Sequence, residues 1–256
     1  MQAAEQLIGF SQSTLWSGFI VFLRVGAVMA VLPAFGEQSV PVRVKLGVTV
    51  AFTFIVAPAA LTTFEVPDQM LTGLPIFVTT EVIAGLAIGL SVRLFVLALQ
   101  ITGTIAAQST SLSQIFGGAG VDPQPAMGYI LVVAGLALAV MTGLHVRAAE
   151  LIVLSYDIMP AGEFPDARML SVWGVQRVAH AFALAFTLAA PFFIASLIYN
   201  VALGVINRAM PQLMVAFVGA PAITAGGLIL LMLSAPVLLK LWVESMNAFM
   251  ANPVGV

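Results

Sequence analysis

The sequence predicts an all-α integral membrane protein of about six long, hydrophobic, kinked helices arranged as hairpins, with a glycine-rich, plug-like loop. Three observations lead there. Of 256 residues, 61% are hydrophobic and only 8% charged, whereas a water-soluble domain carries roughly a quarter charged residues. Charge-free runs recur along the chain at the length of about 20 residues that a helix needs to cross a hydrocarbon core. Prolines also fall inside those runs, at Pro58, Pro191, Pro221 and Pro236, where only helices packed against partners tolerate them.

The charge-free runs are Leu46–Phe64, Leu94–Val121, Pro123–Val146, Val178–Asn207 and Ala209–Leu239. Adding runs that hold a single charge gives expected helices near 13–35, 44–62, 72–100, 126–155, 174–206 and 212–246. Residues 1–12 read as a short polar lead-in. They lack the basic n-region of a cleavable signal, since the first basic residue is Arg24. Pro33, Gly36 and Pro41 end the first helix and begin the second, and Pro67 and Gly73 mark the next turn. The most charged segment, Arg147 to Arg177, with Pro160, Gly162 and Pro165, is the expected solvated loop.

Composition excludes several functions. A net charge of −2 gives no electrostatic footprint for nucleic acid or a polybasic membrane patch. With no cysteine there is neither disulfide nor thiolate chemistry, and His145 and His180 are too few for a histidine-rich metal site. No catalytic motif stands in the chain, so it reads as a non-enzyme without cofactor or metal. An intramembrane enzyme would need a nucleophile–base or metal-ligand set that is missing.

Charges inside apolar runs are the usual pointer to function. Glu81 and Arg93 are twelve residues apart, hence offset by about 120° around a helix, and cannot pair with each other. Each is expected to pair with another helix or reach a helix end. Arg24 is expected in a buried salt bridge between subunits. The rival reading makes Glu81 the coupling carboxylate of a six-helix secondary transporter, but inverted repeats and a midplane polar site at broken helices are missing. Histidines 145 and 180 read as residues at helix ends. Gly85 and Gly89 form a Gly-xxx-Gly that permits close helix approach.

Orientation follows from Arg43 and Lys45, which place the first connection on the cytoplasmic side. Alternation then puts Arg208 inside, but Arg147, Arg168 and Arg177 outside, so some segments do not span as simple hairpins. The stretch Gln108–Pro125 is apolar enough for membrane depth, yet rich in serine and glycine. It is either a polar turn at the surface or a re-entrant, plugging loop buried in protein.

An ordered set of residues across most of the chain resembles the FliR/SctT family of type III secretion export-apparatus proteins. The set begins with Arg24, Pro33, Phe35, Gly36 and Val40-Pro41-Val42-Arg43-Val44-Lys45, then Glu81, Gly85 and Gly89. Gly103, Gln108, Asp122-Pro123, Gly143, His145, Ser155 and Pro160 follow. Pro191, Asn200, Gly204, Asn207-Arg208, Pro211-Gln212, Gly219 and Pro221 complete it, the sharpest element being Asn-Arg-x-x-Pro-Gln after a long apolar run.

The resemblance implies a structural and gating subunit of a flagellar export channel in the bacterial inner membrane, at the basal body. Its implied partners are FliP and FliQ, the FlhA and FlhB components, the lipid bilayer and unfolded export substrates in transit. Residues 1–175 would be similar to a P subunit and 176–256 to the helical hairpin of a Q subunit. The loop 108–125 would correspond to the plug that closes the channel, with Gln108, Ile115, Phe116, Gly117, Gly118, Gly120, Asp122 and Pro123 as its residues. Thr110 departs from the glycine common there in the family. Ile115 and Phe116 offer bulk to seal a pore, and the three glycines offer backbone freedom. Arg24, Arg43, Lys45, Glu81, Asn207, Arg208, Pro211 and Gln212 are the expected intersubunit or cytoplasmic-turn residues, the last four forming the turn between two long helices.

Overall fold

The computed structural model describes residues 2–60, 70–110, 126–210 and 215–255. Its helices are α1 (Gln2–Val31), α2 (Val42–Ala60), α3 (Met70–Thr110), α4 (Ala126–Met141), α5 (Leu144–Ile158), α6 (Ala167–Ala209) and α7 (Val215–Ala251). There is no strand among the described residues. Four helical stretches are long and apolar enough to cross a membrane: Val42–Ala60, Gly73–Ser109, Ala167–Ala209 and Pro221–Ala251. The bent pair of α4 and α5 makes a fifth if it counts as one span.

Several boundaries differ from the sequence expectation, each for a local reason. The single helix expected over 126–155 is broken, with a 74° bend between α4 and α5. Gly143 sits there at φ 91°, a left-handed conformation that glycine adopts without steric penalty. The solvated loop expected from Arg147 to Arg177 shrinks to Met159–Asp166, because α5 and α6 absorb both flanks. The Asp166 side chain accepts from the Met169 backbone N–H at 2.7 Å and so caps α6. Residues 2–12 belong to α1 and are not a separate lead-in. Gly73 lies inside α3 and does not mark a turn. The same helix continues to Thr110, which puts Gln108 on it.

The described residues form two compact units that interleave along the chain. The first comprises Met1–Leu94, Val140–Arg177 and Met246–Val256, and the second Phe95–Ala139 and Val178–Ser245.

In the first unit α1 buries Ile20, Val21, Arg24, Val25 and Val28, the three-to-four spacing of one helix face. The first half of α3 answers with Ala84, Ile88 and Val92, and α5 with Ala148, Leu151 and Ile152. The glycine pair allows the close approach it predicted. A Cβ at Gly85 would lie 2.6 Å from the Arg24 carbonyl oxygen, and one at Gly89 would strike Val31 and come within 3.0 Å of the Val28 carbonyl. In an apolar solvent such close packing carries helix association, since lipid offers no hydrophobic driving force between helices.

The second unit is built on a similar regularity without charge. Met127, Leu131, Gly135 and Ala139 are buried along α4 at a spacing of four. From α6 come Ala181, Ala185, Leu188 and Phe192, and from α7 Ile223, Leu231, Leu238 and Trp242. A Cβ at Gly103 would collide with the Gly128 backbone, so α3 and α4 touch main chain to main chain. The indole N–H of Trp242 donates to the Phe95 carbonyl at 2.7 Å, and Thr102 Oγ1 donates to the Ala185 carbonyl at 3.2 Å.

Candidate functional site

Arg24 and Glu81 are both fully buried. Each stands within a helix, on α1 and α3, so neither can reach water at a helix end by extending its side chain. An unpaired ion there would be prohibitively costly to desolvate. The two resolve this by pairing. Arg24 Nε donates to Glu81 Oε2 at 2.8 Å and Nη2 donates to Oε1 at 3.1 Å. This two-pronged geometry matches the guanidinium fork to the planar carboxylate.

The remaining contacts extend the pair to α5 and the turn that follows it. Arg24 Nη1 donates to Ser155 Oγ at 3.2 Å, while Nη2 also donates to the Met159 carbonyl at 2.8 Å. Ser155 Oγ in turn donates to the Ile152 carbonyl at 2.6 Å. The Tyr156 ring lies 3.7 Å from the guanidinium carbon, a cation–π contact within a desolvated setting. On the acidic side the Gly162 backbone N–H donates to Glu81 Oε1 at 3.2 Å. Gly162 has φ 76°, and a Cβ there would strike the Phe77 ring, so glycine is required at this position. The cluster therefore joins α1, α3, α5 and the Met159–Gly162 turn.

Chemically this is a strut. Sealed from solvent and doubly bonded, the carboxylate has no access for a substrate or exchanging ion. The partner of Arg24, expected on another subunit, is Glu81 of the same chain. Ser155, Tyr156, Met159 and Gly162 were not assigned to this cluster from sequence. Their only signal was Ser155, a polar side chain in the apolar run of α5.

The other expected residues are dispersed. Arg93 reaches the end of α1, donating to the Val31 carbonyl at 3.3 Å and standing 3.7 Å from Glu37. Lys45 donates to the Gly36 carbonyl at 3.0 Å, and Arg43 is exposed in the first turn of α2. Asn207 and Arg208 are exposed in the last turn of α6, while Pro211 and Gln212 lie outside the described residues. Gln108 is exposed near the end of α3, and Ile115, Phe116, Gly117, Gly118, Gly120, Asp122 and Pro123 also lie outside the described residues. His145 is exposed in the first turn of α5. His180 is not at a helix start but thirteen residues past Ala167 in α6, with Nε2 3.2 Å from Ser245 Oγ. Among the described residues no group of three or more His, Asp or Glu could hold a metal ion.

The chain is similar along nearly its whole length to known proteins. The pattern of the bacterial export proteins, family 1, matches residues 15–249. A flagellar biosynthetic protein FliR of Caulobacter vibrioides is 34% identical over 227 residues, covering 88% of this chain and 90% of the relative. The protein of that name in Escherichia coli K12 is 28% identical over 240 residues, covering 92% and 88% respectively. That of Bacillus subtilis is 25% identical over 262 residues, covering 93% and 95%. A helical chain with long apolar helices and a sealed ionic strut, matched by this pattern over residues 15–249, belongs to the bacterial export proteins, family 1.

Proposed function

We propose that the chain is a structural and gating subunit of the flagellar type III protein-export channel in the bacterial inner membrane, at the flagellar basal body. The observation that carries this reading is the match over residues 15–249, together with relatives named flagellar biosynthetic proteins over nearly their full length. On this reading the chain is not an enzyme. It assembles with FliP and FliQ, works beside FlhA and FlhB, and borders a path for unfolded export substrates. Residues 1–175 take the part of a P subunit and 176–256 that of a Q-subunit hairpin. The transporter alternative gains no support, because its coupling carboxylate, Glu81, is locked against Arg24.

The gating half of the proposal rests on sequence. Ile115 and Phe116 give the segment an apolar tip that a mere surface connection does not need, and Gly117, Gly118 and Gly120 raise the entropy lost on ordering it. Deleting Ile115–Gly120 is the test. The expected result is an assembled complex, with FliP and FliQ co-purifying, in cells whose membrane leaks small ions. An intact complex with unchanged permeability would refute the plug. Failure of FliP and FliQ to co-purify with the undeleted chain would refute the proposed partnership.

A further inference from the structure

We infer that the α1–α2 turn binds one anionic glycerophospholipid, its headgroup on Lys45 and Arg43 and one acyl chain in the adjoining cavity. The inference rests on α2 crossing the membrane and not on the export role.

Of the membrane-crossing stretches, α2 has the length that matches a bilayer. Its 19 residues span about 28 Å at 1.5 Å per residue, against a hydrocarbon core of roughly 30 Å. Its ends therefore mark the two faces of the membrane. Only Thr49, Val56 and Ala60 are buried along it. Val42 and Phe54 are 80% and 77% exposed, with Ile55 and Leu46 beside them. Most of this helix's surface is thus left uncovered within the chain, and its first turn lies at the level of the headgroups if its 19 residues span the core.

That first turn holds two cations, Arg43 and Lys45, and no acidic residue. Neither has an ion-pair partner among the described residues, and the nearby carboxylate of Glu37 already faces Arg93. Lys45 is held at its place by one bond, to the Gly36 carbonyl. An ammonium carries three donors, so two remain for an incoming anion.

Next to this charge is a cavity of about 240 Å³, lined by Met29, Phe35, Val40, Val44, Lys45 and Val48. A dry cavity of about 150 Å³ accommodates a benzene ring, so this one has room for several methylenes. Apart from Lys45 these lining side chains are apolar. A soluble anion would satisfy the lysine and leave the cavity empty, whereas a zwitterionic lipid would fill the cavity but bring its own ammonium beside its phosphate, leaving the two cations without net neutralisation. An anionic phospholipid does both, and basic clusters at the membrane edge attract such lipids.

The test uses the chain in its assembled complex, stripped of lipid in detergent and titrated with phosphatidylglycerol or phosphatidylcholine under native mass spectrometry. Phosphatidylglycerol is expected to bind about thirtyfold more tightly, the weight of two basic residues at such a surface. Arg43→Gln with Lys45→Gln should erase that preference. Val48→Trp, which fills the cavity and keeps both charges, should weaken the binding of both lipids while subunit composition is unchanged. Should the double variant fail to assemble, Arg43→Gln alone, at an exposed side chain, should lose part of the preference. Equal binding of the two lipids to the unaltered complex would overturn the inference, as would a preference that survives the charge variants. Loss of a protein subunit on Val48→Trp, with lipid binding intact, would make the cavity a protein interface and overturn it as well.

Discussion

The two units of this chain solve the same problem differently. Both are helical packings in which lipid supplies no hydrophobic drive, so contact geometry must set the arrangement. The first unit places a charged fork at its centre: Arg24 and Glu81 tie α1 and α3 to α5 and to the backbone of Met159 and Gly162. In the second, the described charges, Arg208, Lys240 and Glu244, are all exposed. Its cohesion comes from glycine contacts and single bonds from side chains to carbonyls, such as Trp242 to Phe95 and Tyr199 to Gly219. A buried ionic fork admits one register, because any slip strands a charge. Apolar shape alone is more forgiving of repacking. The first unit is thus specified from within, and the second has latitude to adjust to neighbours.

The largest expected effect breaks the fork. Glu81→Ala leaves the guanidinium of Arg24 buried and uncompensated, and should cost about 3–5 kcal/mol, read as a drop in the unfolding midpoint in detergent. Pairing Arg24→Met with Glu81→Leu should recover only part of that, because the Met159 carbonyl and Gly162 N–H lose their partners, at about 1–3 kcal/mol for each buried group. Full recovery would show that the turn needs no anchor.

Overpacking sharpens the comparison by treating both units alike. Gly89→Leu in the first and Gly103→Leu in the second should each cost about 1–3 kcal/mol, because both meet backbone of a facing helix. Within that range the loss at Gly103 should be the smaller of the two in the same assay; a larger one would deny the greater latitude of the second unit. Trp242→Phe removes one bond to the Phe95 carbonyl and should cost about 0.5–1.5 kcal/mol. The smallest effect is a gain. Ala34 has φ 68°, where a Cβ is strained, and Ala34→Gly should raise the midpoint by no more than the equivalent of about 1 kcal/mol.

The helical class and the near positions of the elements were legible because long apolar runs and their breakers are local signals. Pro33, Gly36 and Pro41 do separate α1 from α2, and the Gly85–Gly89 spacing did announce a close helix contact. The Arg147–Arg177 segment misled because charge was read as loop. Most of its charges ride on helix and not on loop, as the exposed Arg147–Glu150 pair shows. The capping signal was present in Asp166, directly after Pro165. The ionic cluster was half legible. Arg24 and Glu81 each declared themselves as intramembrane charges needing a partner, but 57 residues separate them and helical periodicity cannot join positions on different helices. Met159 and Gly162 enter through backbone atoms, which leave no trace in side-chain chemistry.

The most direct test of the account is a double-mutant cycle on Arg24→Gln and Glu81→Gln, followed by unfolding the chain in mixed micelles with increasing dodecyl sulfate. If the two side chains are each other's partner within one chain, each single variant loses heavily and the double loses far less than their sum, with a coupling of about 2 kcal/mol or more. Losses that add to within about 0.5 kcal/mol would mean two independent sites, and the strut at the centre of the first unit would have to be abandoned.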